Sequence, residues 1–254
     1  MKFSISFPGG MVRPGSVLPA FLTAGLLICG QLLWPGAAAW AELDEVLTTA
    51  GWDEITFDEQ PTNRFTLPAD AAAWPGLSVD VVSDSSVSVA YKTLDIAFDE
   101  TPNLAFSWLS QSPDPDTDTS QKGGDDRTLA IYVAFPYQPD EVSFGERVER
   151  SLIEVINGKD TPGRVLTYVW GGGAPAGEGF ENPYAGKYGH MIILNEPGTP
   201  LNVWHDHRID VRADFIRIFG YEPANPLYVG VGSDSDDTET IIRASVRDIR
   251  FVAD

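Results

Sequence analysis

The chain has 254 residues, with 37 acids against 17 bases, a formal net charge of −20 and one cysteine. The lone cysteine excludes a disulfide scaffold and any cysteine-based zinc knuckle, and the charge argues against nucleic acid and anionic membrane as partners, since both would repel it. With 43% hydrophobic residues the chain is too apolar to stay disordered.

Residues 1–41 read as a secretory signal. Lys2 and Arg13 precede the first acid, Glu42, an apolar run spans Val17 to Trp34, and Ala37-Ala38-Ala39-Trp40-Ala41 offers an A-x-A cleavage site. An uncleaved anchor competes with this reading because the run nears spanning length, but Pro19 and Gly25 interrupt it. A lipoprotein would use Cys29, yet Ile28 before it is larger than a lipobox wants. Cleavage after Ala41 leaves one domain over residues 42–254, without a cysteine or a second apolar span. The expected location is periplasmic or secreted.

Beyond the leader, most of the chain alternates with period two, the pattern of half-buried strands. Leu77-Val79-Val81, Val87-Val89-Tyr91, Leu94-Ile96-Phe98, Leu104-Phe106-Trp108 and Leu129-Ile131-Val133-Phe135 form the first half of the series. Arg164–Trp170, His190–Asn195, Leu201–Trp204, Leu227–Gly232 and Ile241–Val252 form the second, and the last run changes phase between Val246 and Ile249, which predicts a bulge. Two segments have helical spacing instead. One starts at a Ser143/Glu146 capping box and places Phe144, Val148, Leu152 and Val155 on one face, with Gly158 to end it. The other covers about Val211–Phe219, capped by Asp210 and ended by Gly220. The helices do not alternate with the strands, so the fold expected is mostly β: an antiparallel, jelly-roll-like sandwich with two short decorating helices. Two long loops stand out, Ser110–Asp126 and Gly171–Tyr184.

The motifs resemble a family. Trp52-x-x-Ile55-x-Phe57, Lys122-Gly123-Gly124-Asp125-Asp126 before Tyr132-Val133-Ala134-Phe135, Leu166-x-Tyr168-x-Trp170, Trp204 with Arg208-x-Asp210, Asp214-Phe215 to Phe219-Gly220, Val229-Gly230-Val231, Ser233–Thr238 and Asp248-Ile249-x-Phe251 occur in that order. In this order they are similar to the bacterial family known as domain of unknown function 3047. The resemblance implies an exported β-sandwich of unassigned biochemical role.

Four kinds of chemistry compete for the polar and aromatic residues. Calcium wants six to eight hard oxygens, which Asp125, Asp126, Asp234 and Asp236 could supply from loops flanking strands; the competing reading is a solvated acidic surface adapted to high salt. Asp114, Asp116 and Asp118 fail as an EF-hand, because Thr119 stands where glycine is needed and Asp125 where glutamate is. His205-x-His207 with His190 could hold zinc, or form an ordinary polar rim. A glycan could stack on Tyr168, Trp170 and Trp204 with Arg208 beside them, the Gly171–Gly173 run allowing close approach; otherwise these aromatics are core. Arg208 could equally pair with Asp248 or Asp214 and pin the second helix. Hydrolysis has little support: 37 acids make carboxylate pairs uninformative, and no G-x-S-x-G elbow or P-loop occurs. Together these residues point to a non-catalytic, extracytoplasmic binding protein for a glycan or other small ligand, stabilised by calcium. A carbohydrate-active hydrolase or lyase and a structural envelope protein are the alternatives, and the oligomeric state is left open.

Overall fold

The computed structural model describes residues 43–147, 149–150 and 161–253. The leader expected over residues 1–41 lies outside them, as do Val148 and residues 151–160, on which most of the first expected helix falls. The described part of that helix opens as anticipated: helical structure starts at Phe144, and the Ser143 hydroxyl accepts the Glu146 N–H at 3.2 Å.

Twelve strands build two sheets among the described residues. In chain order they are β1 (Asp53–Thr56), β2 (Arg64–Thr66), β3 (Leu77–Asp84), β4 (Val87–Thr93), β5 (Asn103–Ser110), β6 (Arg127–Phe135), β7 (Arg164–Trp170), β8 (Gly179–Asn182), β9 (Gly186–Asn195), β10 (His205–Asp210), β11 (Tyr228–Asp234) and β12 (Ile241–Val252). One sheet has the order β1-β4-β11-β6-β7-β9-β8 and the other β10-β5-β12-β3-β2. All pairs are antiparallel except β7 with β9. The sheets pack face to face, and alternation along each strand sends Val79, Val81, Leu104, Phe106, Trp108, Leu129, Ile131, Val133, Leu166, Val229, Val231 and Val246 into one shared core. A two-layer sandwich is the outcome the period-two pattern demanded.

Helix α1 (Glu45–Thr49) was not anticipated; α2 (Val211–Phe219) was, with both ends. Asp210 accepts the Ala213 N–H at 2.8 Å, and Gly220 takes the left-handed conformation at φ 83° that ends the helix. No helix among the described residues is long and apolar enough to cross a membrane.

Two expected strands are corrected. Leu94–Phe98 is irregular: Leu94 and Ile96 pack on the core and Phe98 is buried, which imitates strand alternation. Here, however, the chain leaves the seven-stranded sheet after β4 and crosses to the five-stranded one at β5, so after the Leu94 N–H donates to the Leu227 carbonyl at 2.9 Å the ladder is not continued among the described residues. Leu201–Trp204 is a turn, with Asn202 at φ 57°, and the strand begins one residue later, where His205 pairs with Trp108. The phase change in β12 is a bulge between Val246 and Ile249, with Asp248 at φ 57°.

Candidate metal centre

Antiparallel pairing of β6 with β11 sets Arg127, the first residue of β6, opposite Asp234, the last of β11. Asp126 precedes one strand and Asp236 follows the other, so acids far apart in sequence come to one corner of the sandwich. Carboxylate oxygens of Asp126, Asp234 and Asp236 lie within 4.8 Å of one another. Two oxygens about 2.4 Å from a single calcium ion can be at most about 4.8 Å apart, so this spacing suits one ion. An all-carboxylate set selects a hard cation over zinc or copper.

The electrostatics point the same way. Asp126 is fully buried; its carboxylate accepts the Asp237 and Thr238 N–H groups at 3.3 and 2.7 Å and the Thr238 hydroxyl at 2.5 Å. Asp234 is 3% exposed. One of its oxygens faces the Arg127 guanidinium at 3.1 Å, whereas Oδ1 is sealed from solvent with no hydrogen-bond partner. A buried acceptor left unmade is expensive. Burial holds the Asp234 carboxyl well above its ordinary range; Arg127 pulls it down, and Asp236 pushes it up again. A bound cation would satisfy the free oxygen and favour the ionised form.

Asp125 stays outside this triad. It turns toward Arg127, which lies 3.7 Å from its carboxylate and donates to its carbonyl at 2.5 Å. Arg127 also donates to the Tyr132 hydroxyl at 2.7 Å, so this guanidinium balances two acids from inside the fold. The sequence reading missed both Arg127 and Thr238. Their signal was there: a basic residue following an Asp-Asp pair, and a hydroxyl residue following Asp236-Asp237.

The aromatic candidates are corrected. Tyr168 and Trp170 are fully buried, because β7 runs through the middle of the seven-stranded sheet and points both rings between the layers. Tyr168 donates to Asp214 at 3.2 Å, and burial together with that carboxylate keeps its phenol far above its ordinary value. Trp170 packs on Trp108 at 5.7 Å and His205 at 5.1 Å. Neither offers a face for stacking. The Gly171–Gly173 run does allow a close approach, but by the protein itself: the Gly172 carbonyl accepts from the Thr119 N–H at 3.3 Å and hydroxyl at 3.1 Å, tying the two long loops together. Trp204 is half-buried on the opposite sheet, where the Arg247 guanidinium covers its ring. Arg208 is exposed and donates to the Ala253 carbonyl at 2.5 Å. Its two candidate partners are engaged elsewhere: Asp248 pairs with Arg250 and Asp214 with Arg217.

The histidines do not converge. His205 and His207 lie on β10 facing inward, where His207 contacts Phe106 and Trp108 and its Nε2 lies 2.8 Å from Asn195 Oδ1. Burial, then His205, lowers the His207 imidazole to about 4. His190 is on β9, near Arg217, Glu181 and Asp214. Elsewhere, an open cleft of about 500 Å³ runs between Pro113–Thr117 and Pro197–Leu201. Asp114 and Asp116 line it, and burial raises the Asp114 carboxyl although Thr128 donates to it at 2.5 Å.

A family model described as a protein of unknown function (DUF3047) matches residues 50–250. The chain belongs to this family. The matched span of the DUF3047 protein takes in both sheets and the carboxylate corner, including the Lys122–Asp126 and Ser233–Thr238 stretches that meet there. A search of curated proteins finds no match.

Proposed function

We propose that this DUF3047 protein is an exported, non-catalytic binding protein whose loop end is held by a calcium ion and whose ligand is a glycan. The observation that carries the calcium reading is the buried, unpartnered Asp234 Oδ1 beside the carboxylates of Asp126 and Asp236. Burial of Asp126 and Asp234 also supports a structural over a catalytic role for these acids, since a substrate bond has no route to them. Export rests on the charged, apolar and small-residue order of the leader. The glycan reading draws on the half-buried indoles of Trp74 and Trp204 on the five-stranded sheet, in place of the buried β7 pair.

The test is a thermal melt of the purified protein in chelator and then in millimolar calcium, at matched ionic strength. An ion bound only by the folded state at about 100 times its dissociation constant adds about 2.7 kcal/mol, roughly 5–10 °C for a domain of this size. The rise should disappear in Asp236→Asn, which leaves the Asp234–Arg127 pair in place. No rise at matched ionic strength overturns the calcium reading.

A second reading, a carbohydrate-active hydrolase or lyase, draws on Asp114, whose carboxyl is raised and which lies in an open cleft with Asp116. Turnover of a polysaccharide that Asp114→Asn abolishes would favour it over the binding role.

A further inference from the structure

The outer face of the five-stranded sheet is charged unlike the rest of the molecule. Pairing registers place Arg64, Asp80, Ser107, Asp206, Arg208, Arg243, Ser245, Arg247 and Arg250 on the side away from the core. Five of the chain's arginines therefore share one face with five aspartates, Asp80, Asp84, Asp206, Asp210 and Asp248, while the chain as a whole carries −20. An anion is repelled less here than over the rest of the acidic surface.

At the centre of the face the Arg247 guanidinium is sandwiched between two indoles, 4.2 Å from the Trp74 ring centroid and 3.8 Å from that of Trp204. Both indoles are half-buried, and Trp74 Nε1 is 3.4 Å from Asp70 Oδ2. Arg247 Nε is sealed from solvent with no partner, and the ion pairs of the described residues do not include Arg247. A guanidinium held close to two rings has its planar fork restrained, which suits bidentate capture of a carboxylate. Around it stand short polar side chains: Ser107 beside Arg247 on β5, Asp206 beyond it, and Ser245 opposite Asp80.

We propose that this face binds an acidic saccharide, with a uronate carboxylate seated on Arg247, sugar rings packed against the edges of Trp74 and Trp204, and hydroxyls bonded by Ser107, Ser245, Asp80 and Asp206. The proposal rests on the glycan reading above and names its ligand class. A protein partner is disfavoured because apolar residues are dispersed among polar ones on this face: apart from the two indoles, outward Val82, Leu109, Ile241, Ala105 and Val252 are paired across the strands with Arg243, Ser245, Asp84, Arg250 and Asn103.

Calorimetric titration tests it with a glucuronate-containing tetrasaccharide and its carboxyl-reduced neutral counterpart, in constant calcium. The acidic sugar should bind at least tenfold tighter than the neutral one, and the preference should shrink as salt is raised. Arg247→Gln should remove the preference, Arg247→Lys should recover only part of it, and Trp204→Ala should weaken both sugars; a melt of each variant checks that it is folded. Equal binding of both sugars, weakened by Trp204→Ala but not by Arg247→Gln, overturns the acidic selectivity and leaves the glycan reading standing. Binding of neither sugar by the folded wild-type protein overturns both. Binding of the acidic sugar that Arg247→Gln leaves unchanged places the site elsewhere and overturns this proposal.

Discussion

Asn63 sits where three segments meet. Its amide donates to the carbonyls of Ser88 at 3.0 Å and Ser233 at 2.8 Å, while its oxygen accepts the Ser86 hydroxyl at 2.7 Å. The Ser83 and Ser235 hydroxyls, 2.7 Å apart, extend this polar seam along the residues that flank Asp234. Asn63→Leu keeps the volume but strands these buried groups, and should destabilise by about 2–4 kcal/mol in urea unfolding. His207 makes a pH prediction. Its folded-state pKa is lowered to about 4, so below the ordinary value of about 6.5 the unfolded chain takes up the proton first, and stability falls as pH drops from 6.5 toward 4. His190 is lowered too and adds to the slope. His207→Gln, which can still donate to Asn195, should reduce the fall in unfolding free energy between pH 6.5 and 5 by on the order of 1 kcal/mol after solvent screening, read by urea unfolding at each pH. An unchanged slope would show that His207 is not the group responsible.

At the scale of elements, glycines decide how segments meet. Gly172 has φ +89°, and a Cβ there would lie 2.6 Å from Thr119 Cγ2, so Gly172→Ala is both strained and crowded. It should separate the two long loops, lowering stability by about 2–3 kcal/mol and increasing protease nicking in residues 111–126. Thr119→Ala should relieve the crowding and recover part of the loss. The β12 bulge is held by a similar fit: a Cβ at Gly76 would lie 2.6 Å from the Asp248 backbone, and the Asp248 carboxylate accepts the Gly76 N–H at 2.9 Å. That bulge turns Arg247 and Arg250 to the same side although they are three residues apart, which a regular strand forbids. The Asp210 cap is the simpler case: Asp210→Ala should cost about 1 kcal/mol of α2 stability, measured by thermal unfolding.

For the whole molecule, charge sets the conditions of stability. A chain of −20 repels itself, so sodium chloride raised from about 10 mM to about 1 M should increase the melting temperature as the screening length shortens from about 30 Å to about 3 Å. Calcium at the Asp126–Asp234–Asp236 corner should add its shift on top of that rise, because a specifically coordinated ion is not replaced by a monovalent atmosphere. A calcium shift that vanishes in molar salt would reduce the corner to part of the general acidic surface.

The layer architecture, the ends of α2, the β12 bulge and three of the carboxylates that meet at one corner were legible in the amino-acid order alone. These are local features: alternation, a cap, a phase change, and acids placed beside strand ends, all readable without knowing what lies opposite. Which aromatics face solvent was settled in three dimensions. Tyr168-x-Trp170 and Trp204 look alike in sequence, but strand order puts β7 in the middle of a sheet against a second layer and leaves Trp204 on an outer face. The same holds for Arg127 opposite Asp234 at the far end of the chain, and for Arg247 between Trp74 and Trp204. Such meetings depend on register and sheet order across long separations, and period-two alternation says which residues share a side of a strand, not which strand lies next to it.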